Sequence, residues 1–334
     1  MRSFLRERKI PSATIAVLQH GRTVKLAGYG MANLELRVPA TPQSRYEIGS
    51  ITKQFTAEAL MLLVSEGRLS LDDSLGRYLP EAPASWGEIR IRHLLTHTSG
   101  LYDWEGDTTF ALSREYSVAD FVRFVSSHPL AFAPGSRFAY TNSAYPLLGA
   151  VVQRVAGVPY EEFVTRRIME PAGMINTRFR DNFALLPDRA SGYAEVDTVM
   201  VNGQPIRPRI LVANGGIVSS AADMAHWCAA LWGGRLLPPR VLADMLTPTT
   251  LSNGSTVPVG MGWFLAETHG HRFAVHNGST VAGYSSVVYR FLDDDLSIVV
   301  LMNIDRFDAV NVLAQRVAAY FIPALAAPAP KRGS

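Results

Sequence analysis

Strand-forming runs lie at both ends of this 334-residue chain, and helical segments broken by Pro and Gly fill the middle. Near the front, Ser12 to Leu18 and Thr23 to Tyr29 are β-rich and separated by Gln19-His20-Gly21-Arg22, the spacing of a hairpin. Toward the end, Met261 to Ala266, Arg272 to His276, Tyr284 to Arg290 and Ser297 to Asn303 repeat the strand signal. Asp293-Asp294-Asp295 turns the last two into a second hairpin, and a closing helix is predicted over Phe307 to Phe321. This distribution points to an α+β fold: one antiparallel sheet built from both termini, flanked by helices, with a helical region inserted. The expected division is a sheet domain over 1–68 and 214–323, a mainly helical insertion over 69–213, and a disordered Ala/Pro-rich tail over 324–334. At about 150 residues per domain, the length fits two domains or one large composite.

Composition narrows the function classes. With 48% apolar and 18% charged residues the chain is an ordinary globular protein, so wholesale disorder is excluded. A single cysteine, Cys228, rules out an intramolecular disulfide framework and a multi-cysteine zinc site. It falls in a helix predicted over Ala221 to Trp232, started by Ser220 and Asp223, and is expected to be a buried filler. The net charge is only +3 and no dense Lys/Arg run occurs, so no nucleic-acid partner is expected. No apolar stretch approaches the ~20 residues of a membrane span. The opening MRSFLRERKIPS is too charged for a secretory signal. The chain as given is thus expected in the cytoplasm, or in the periplasm or outside the cell if its start was trimmed. Oligomeric state is not legible.

Only four of the 32 basic residues are lysines, Lys9, Lys25, Lys53 and Lys331; the rest are arginine. A lysine in such a chain invites the question of what arginine could not do. Arginine stays protonated, whereas a buried lysine can lose its proton and act as a base. Lys53 stands three residues after Ser50, at the start of a segment, Ser50 to Ser65, that is apolar on nearly every face and is expected to be a buried helix. That spacing puts both side chains on one face. A desolvated lysine can take the proton of a serine hydroxyl and make it a nucleophile. Alone, S-x-x-K is common, and a serine cap followed by a surface lysine is the plainer explanation.

Two further segments change that balance. Tyr140-Thr141-Asn142 offers a phenol whose pKa a neighbouring ammonium can lower, so that it passes protons to a leaving group. Its asparagine amide can hold both the lysine and a substrate carbonyl. His276-Asn277-Gly278-Ser279 closes a strand signal. There a glycine would admit a substrate backbone, and the Ser279 amide could face an oxyanion together with that of Ser50. Taken singly, Tyr140 is as readily a core aromatic, Asn142 a turn former and His276 a structural histidine.

In this order, S-x-x-K, Y-x-N and H-x-G resemble the serine β-lactamase and penicillin-binding-protein superfamily. The nearest likeness is to its class C β-lactamase-related branch of DD-carboxypeptidases, D-aminopeptidases and family VIII esterases. Framing segments share the likeness: Ile10-Pro11-Ser12, Tyr46 to Ser50, Gly67 to Asp73, Ile91 to Gly100 and Asn214-Gly215-Gly216. The resemblance implies a β-lactamase/transpeptidase-like fold and a serine hydrolase without metal or organic cofactor, acting on a small-molecule or peptide substrate. It makes Ser50 the acyl-enzyme nucleophile, Lys53 its base and Tyr140 a proton shuttle. Asn142, His276, Gly278 and Ser279 become substrate-binding, with the Ser50 and Ser279 amides as oxyanion hole. His276 stands where β-lactamases carry the lysine of K-T-G, and an imidazole grips a carboxylate less strongly than an ammonium. That argues against an efficient β-lactamase and leaves amide against ester open; the resemblance favours small amides or peptides of D-amino acids as substrates. Short acyl esters come next, then β-lactams, and last a catalytically silent binding protein.

Several other residues are ambiguous. His93 and His97 share an i, i+4 spacing used by metal ligands, but lack the glutamate of H-E-x-x-H, so structural hydrogen bonding is expected. The absence of G-x-S-x-G, G-x-G-x-x-G and Walker motifs argues against an α/β-hydrolase triad and nucleotide cofactors. Tyr102, Asp103 and Trp104 could line the pocket or cover the core, while Trp263 and Phe264 are expected in the core.

Overall fold

The computed structural model describes residues 1–326. β1 (Ser12–Gln19) and β2 (Arg22–Asn33) form the expected hairpin, turned at His20 and Gly21, both in the left-handed region. A two-residue β3 (Val38–Pro39) follows at the edge. From the other end of the chain, β4 (Phe264–Thr268), β5 (His271–Thr280), β6 (Tyr284–Phe291) and β7 (Leu296–Met302) pair in antiparallel succession. β7 then pairs with β1, Thr14 opposite Leu301. The seven-stranded order is thus β4-β5-β6-β7-β1-β2-β3, and both termini make one sheet.

Alternation decides which residue faces which layer. Ile15 and Val17 point to the side covered by a short helix, Arg2–Glu7, and by the C-terminal helix; Ala16 and Leu18 point to the other. All of β7 is buried between its two neighbours, which is why LSIVVLM is continuously apolar rather than alternating. On the inner side, α1 (Thr52–Ser65) has residues 52–63 all buried. It packs on α2 (Ala144–Ala156), and its Phe55 stacks on Trp227 of α3 (Ala221–Trp232), which in turn covers β1 and β7. The hydroxyl of Ser220 caps α3 by accepting from the Asp223 amide at 3.1 Å, as its sequence predicts. The C-terminal helix, α4 (Phe307–Phe321), closes the outer face.

Four boundaries differ from expectation. Ser50 sits in a 3-10 turn, Gly49–Ile51, that leads into α1, so the α-helix proper starts after it. β5 runs on to Thr280 and takes His276 to Ser279 inside the strand, because each has a register partner on β6. The stretch 69–213 carries strands as well as helices. Arg178–Phe179 joins Ile217–Ser220 and Arg45–Glu47 in a three-stranded sheet, and Tyr193–Val196 pairs with Val199–Asn202. Of the expected tail, Ala324 to Ala326 lie in a 3-10 turn and the remainder lies outside the described residues. Cys228 is buried, with its thiol pushed up to about 12 by desolvation. Among the described residues no helix is long and apolar enough to cross a membrane.

Candidate active site

The turn carrying Ser50 is pressed against β5. Gly49 has φ +52°, and a Cβ there would lie 2.9 Å from the Ser279 nitrogen; one on Gly278 would lie 2.0 Å from the Ile48 oxygen. Only glycine at both places lets strand and turn approach this closely. Ser286 fixes the contact from β6, its hydroxyl donating to the Ile48 carbonyl at 2.7 Å. Behind the turn, Glu47 and Arg180 form a buried ion pair at 3.0 Å, which ties the strand leading to Ser50 to the inserted region.

One turn on, Lys53 is 0% exposed and its ammonium nitrogen has three partners. It donates to Ser50 Oγ at 2.8 Å, Asn142 Oδ1 at 3.0 Å and the Asn214 carbonyl at 3.2 Å. It also lies over the rings of Tyr140, at 5.0 Å, and Tyr145, at 5.7 Å. Desolvation brings its pKa down to about 7, against the pull of Glu105 and Asp103 in the other direction. Near neutral pH a large fraction is therefore the free amine, the form able to take the proton of Ser50.

Tyr140 does not behave as its sequence suggests. Its phenol is shifted upward rather than downward, because burial outweighs its hydrogen bond to Ser50. The ring is stacked on His97 with centroids 4.3 Å apart. His97 is buried, and its Nδ1 accepts the Thr141 amide at 3.3 Å, while Nδ1 of His93 accepts the Arg90 amide at 3.2 Å. Both histidines serve the hydrogen-bonding role expected of them, and His97 positions Tyr140. His276 is buried as well. Its Nδ1 lies 2.7 Å from the Asn277 carbonyl, and desolvation brings its pKa down to about 3. The imidazole is neutral, Nδ1 must carry the proton it donates, and Nε2 is left as an acceptor.

The loop after Leu101 completes the site. Asp103 accepts the Asn142 amide at 3.0 Å, Glu105 accepts from the Asn142 side chain, and the Trp104 amide donates to Ser143 Oγ at 3.2 Å. Trp104 both covers the core and lines the cleft, whereas Tyr102 turns away and stacks on His128. Trp263 is in the core, but Phe264 is not: half-buried, it faces Tyr140 and His276 across the cleft. Ser50, half-buried itself, stands where two lobes meet. One, of about 180 Å³, is walled by Trp104, Phe110, Leu112, Ile206 and Leu211, with Arg180 at its margin. The other is lined by Tyr140, Phe264, His276, Asn277, Asp305 and Phe307. Glu105, Asn142 and Ser279 border both. The structure thus brings together all seven residues selected from sequence. It adds Glu105, Asn214, Asp305 and Phe264, which no local pattern singles out; of these only Asn214 lies in a framing segment.

Comparison with known proteins places the chain as a whole. The family model described as Beta-lactamase matches residues 1–320. Protein flp of Staphylococcus aureus (strain MW2) is 27% identical over 311 residues, covering 90% of this chain; the chain spans 61% of that protein's length. Penicillin-binding protein 4* of Bacillus subtilis (strain 168) is 28% identical, covering 87% of this chain and 68% of its own. Among solved structures, the octameric penicillin-binding protein homologue from Pyrococcus abyssi superposes with a TM-score of 0.82 at 28% identity, over 96% of this chain and 75% of its own. The D-amino acid amidase from Ochrobactrum anthropi SV3 gives 0.82 at 25% identity, over 97% and 98%. A match from the first residues through α4, on a sheet built from both ends of the chain around a serine–lysine couple, leaves one assignment: the chain belongs to the Beta-lactamase family, within the superfamily of serine β-lactamases and penicillin-binding proteins.

Proposed function

We propose that this protein hydrolyses small amides or peptides of D-amino acids that present a free α-amine, through an acyl-enzyme on Ser50. The observation that carries the reading is the Lys53 amine, desolvated and 2.8 Å from Ser50 Oγ. Lys53 takes the hydroxyl proton as Oγ bonds to the substrate carbonyl carbon, and the oxyanion is held by the amides of Ser50 and Ser279. Tyr140, a neutral phenol, gives its proton to the departing nitrogen as the C–N bond breaks, and the Lys53 ammonium returns a proton to Tyr140. Water then attacks the ester and passes a proton back through the same pair. The acid leaves, and Ser50 regains its hydroxyl. Asn142 holds Lys53 through Oδ1 and is itself held by Glu105.

Charge selects among amides. His276 is neutral, and Arg180 is already paired with Glu47, so neither supplies a ready anchor for a substrate carboxylate. The other charged groups on the cleft walls are carboxylates: Glu105 on both lobes, Asp107 on the apolar one and Asp305 on the other. Such walls favour an α-ammonium over a C-terminal carboxylate, hence amidase or aminopeptidase chemistry over carboxypeptidase or β-lactamase chemistry. The D-amino acid amidase likeness points the same way. The apolar lobe also suits short acyl esters, which keeps esterase activity as the second reading.

Parallel turnover of D-alanyl p-nitroanilide, its N-acetyl derivative, p-nitrophenyl butyrate and benzylpenicillin tests this. The expected order places the free-amine anilide first, with N-acetylation costing at least about tenfold in kcat/KM, the loss of one charge-assisted contact. Faster turnover of benzylpenicillin or of the N-acetyl compound would reverse the assignment.

A further inference from the structure

The apolar lobe is closed by a strap. Residues 203–208 have no regular secondary structure, yet their backbone is tied at both ends to residues that line the apolar lobe. The Gln204 amide donates to the Val281 carbonyl at 2.9 Å on the side of β5. The Arg207 amide donates to the Leu112 carbonyl at 3.0 Å on the opposite side. Between these ties, the Ile206 carbonyl accepts from Asn182 Nδ2 at 3.0 Å, and Ile206 itself lines the lobe. Immediately downstream the chain delivers Leu211 to the same lobe and the Asn214 carbonyl to Lys53. A segment pinned at both ends, with its one large apolar side chain at the cavity, is built as a wall.

We infer that this strap determines specificity, with Ile206 as the end wall that limits the length of the acyl group. The inference rests on the proposed role of Ser50. Tyr140, donor to the leaving group, lines the other lobe, so the leaving group occupies that side and the acyl group the apolar one. A volume of about 180 Å³ is close to the ~150 Å³ of a cavity that holds one benzene, so an acyl chain of about six carbons fills it. Replacing Ile206 by alanine removes three carbons of wall and opens room for about as many on the substrate. Replacing it by tryptophan does the reverse.

The test uses p-nitrophenyl esters of straight-chain acids from acetyl to decanoyl with the wild type, Ile206→Ala and Ile206→Trp. The p-nitrophenolate burst gives the acylation rate, and intact mass locates the acyl group on Ser50. Normalised to the acetyl ester, the wild-type rates should climb to about hexanoyl and then fall. The alanine variant should move the optimum two or three carbons longer, with gains of about fourfold per methylene newly accommodated. The tryptophan variant should move it shorter. Acylation of Ser50 in all three with superimposable profiles would refute the strap's role while leaving the nucleophile intact. No acyl group on Ser50 in the wild type would overturn the functional reading, and the strap's role with it.

Discussion

Lys53 and Glu58 lie five residues apart on α1, both fully buried, and desolvation treats them oppositely. It drives the lysine toward the free amine and holds the carboxyl protonated, up to about 8. Lysine is required at 53 because a guanidinium could not shed its proton there. Glu58 accepts the Trp227 indole N–H at 3.0 Å with one oxygen and has no protein partner for the other. Because its folded pKa lies above the unfolded value of 4.5, the folded state binds more protons in between. The stability that Glu58 contributes should therefore be greatest below the unfolded value and decline as pH rises toward about 8. Glu58→Gln keeps the acceptor for Trp227 and removes the titration. Thermal melts from pH 4 to 9 should show the variant level with wild type in acid and more stable at pH 8, by on the order of 1–3 kcal/mol. Parallel melting curves at every pH would show that Glu58 does not titrate in this range. At this scale sequence was most informative where chemistry is local. A spacing of three places Ser50 beside Lys53 in any helical turn, but Glu105 reaches Asn142 across 37 residues and Asp305 reaches Ser279 across 26. The Tyr140 shift comes from burial beneath elements far apart in the chain, which no spacing reveals.

The decisive contact between elements is β5 against the Gly49–Ile51 turn. It sets the turn that carries Ser50 against the backbone of Ser279, and it depends on the missing side chain of Gly278. Gly278→Ala would set a methyl against the Ile48 carbonyl and the Ser286 hydroxyl, both rigidly held, so the strand must retreat from the turn. The variant should lose stability by about 1–3 kcal/mol and acylate Ser50 at least about 100-fold more slowly, as when one oxyanion donor is displaced. Urea unfolding beside burst kinetics checks both. Unchanged burst kinetics would remove Ser279 from the reaction. From sequence the glycine is read as admitting a substrate backbone; the structure instead sets the Ile48 carbonyl against it, more than 200 residues away, and Gly278 lines neither lobe of the cleft. The length of β5 is underestimated as well. Pairing with β6 overrides the turn-forming preference of Asn277-Gly278-Ser279.

For the whole molecule, the question is what holds two distant chain segments in one sheet. Pairing of β1 with β7 is half of the answer, and the buried Asn303 is the other half. Its Oδ1 accepts from Ser12 at 2.6 Å, while Nδ2 donates to the carbonyls of Met31 at 3.1 Å and Ser191 at 3.0 Å. One side chain thereby joins the N-terminal strands, the inserted region and the end of β7. Asn303→Ala would leave the buried Ser12 hydroxyl only the Tyr46 hydroxyl as partner and would take the donor from two part-buried carbonyls, and should cost about 1–3 kcal/mol. Calorimetry should show a lower Tm, with kcat/KM at 25 °C almost unchanged; an unaltered Tm would mean the network is dispensable. That the termini share a sheet follows from where the strand signals lie. The small strands within 178–202 were less legible, because they are only two to four residues long: Arg178–Phe179 needs a partner some 40 residues away, and Tyr193–Val196 with Val199–Asn202 make a hairpin of four residues a side.

These scales converge on the Ser50–Lys53 couple, and the pH dependence of Ser50 phosphonylation by a fluorophosphonate tests it most directly. Attack expels fluoride and forms the Oγ–P bond while Lys53 takes the proton, so the rate should follow the free amine. The account predicts a rate that rises through an apparent pKa near 7, with the adduct mass on Ser50, and a loss of about 10³-fold in Lys53→Arg. A rate that stays flat from pH 6 to 8, or an adduct on another residue, would contradict it.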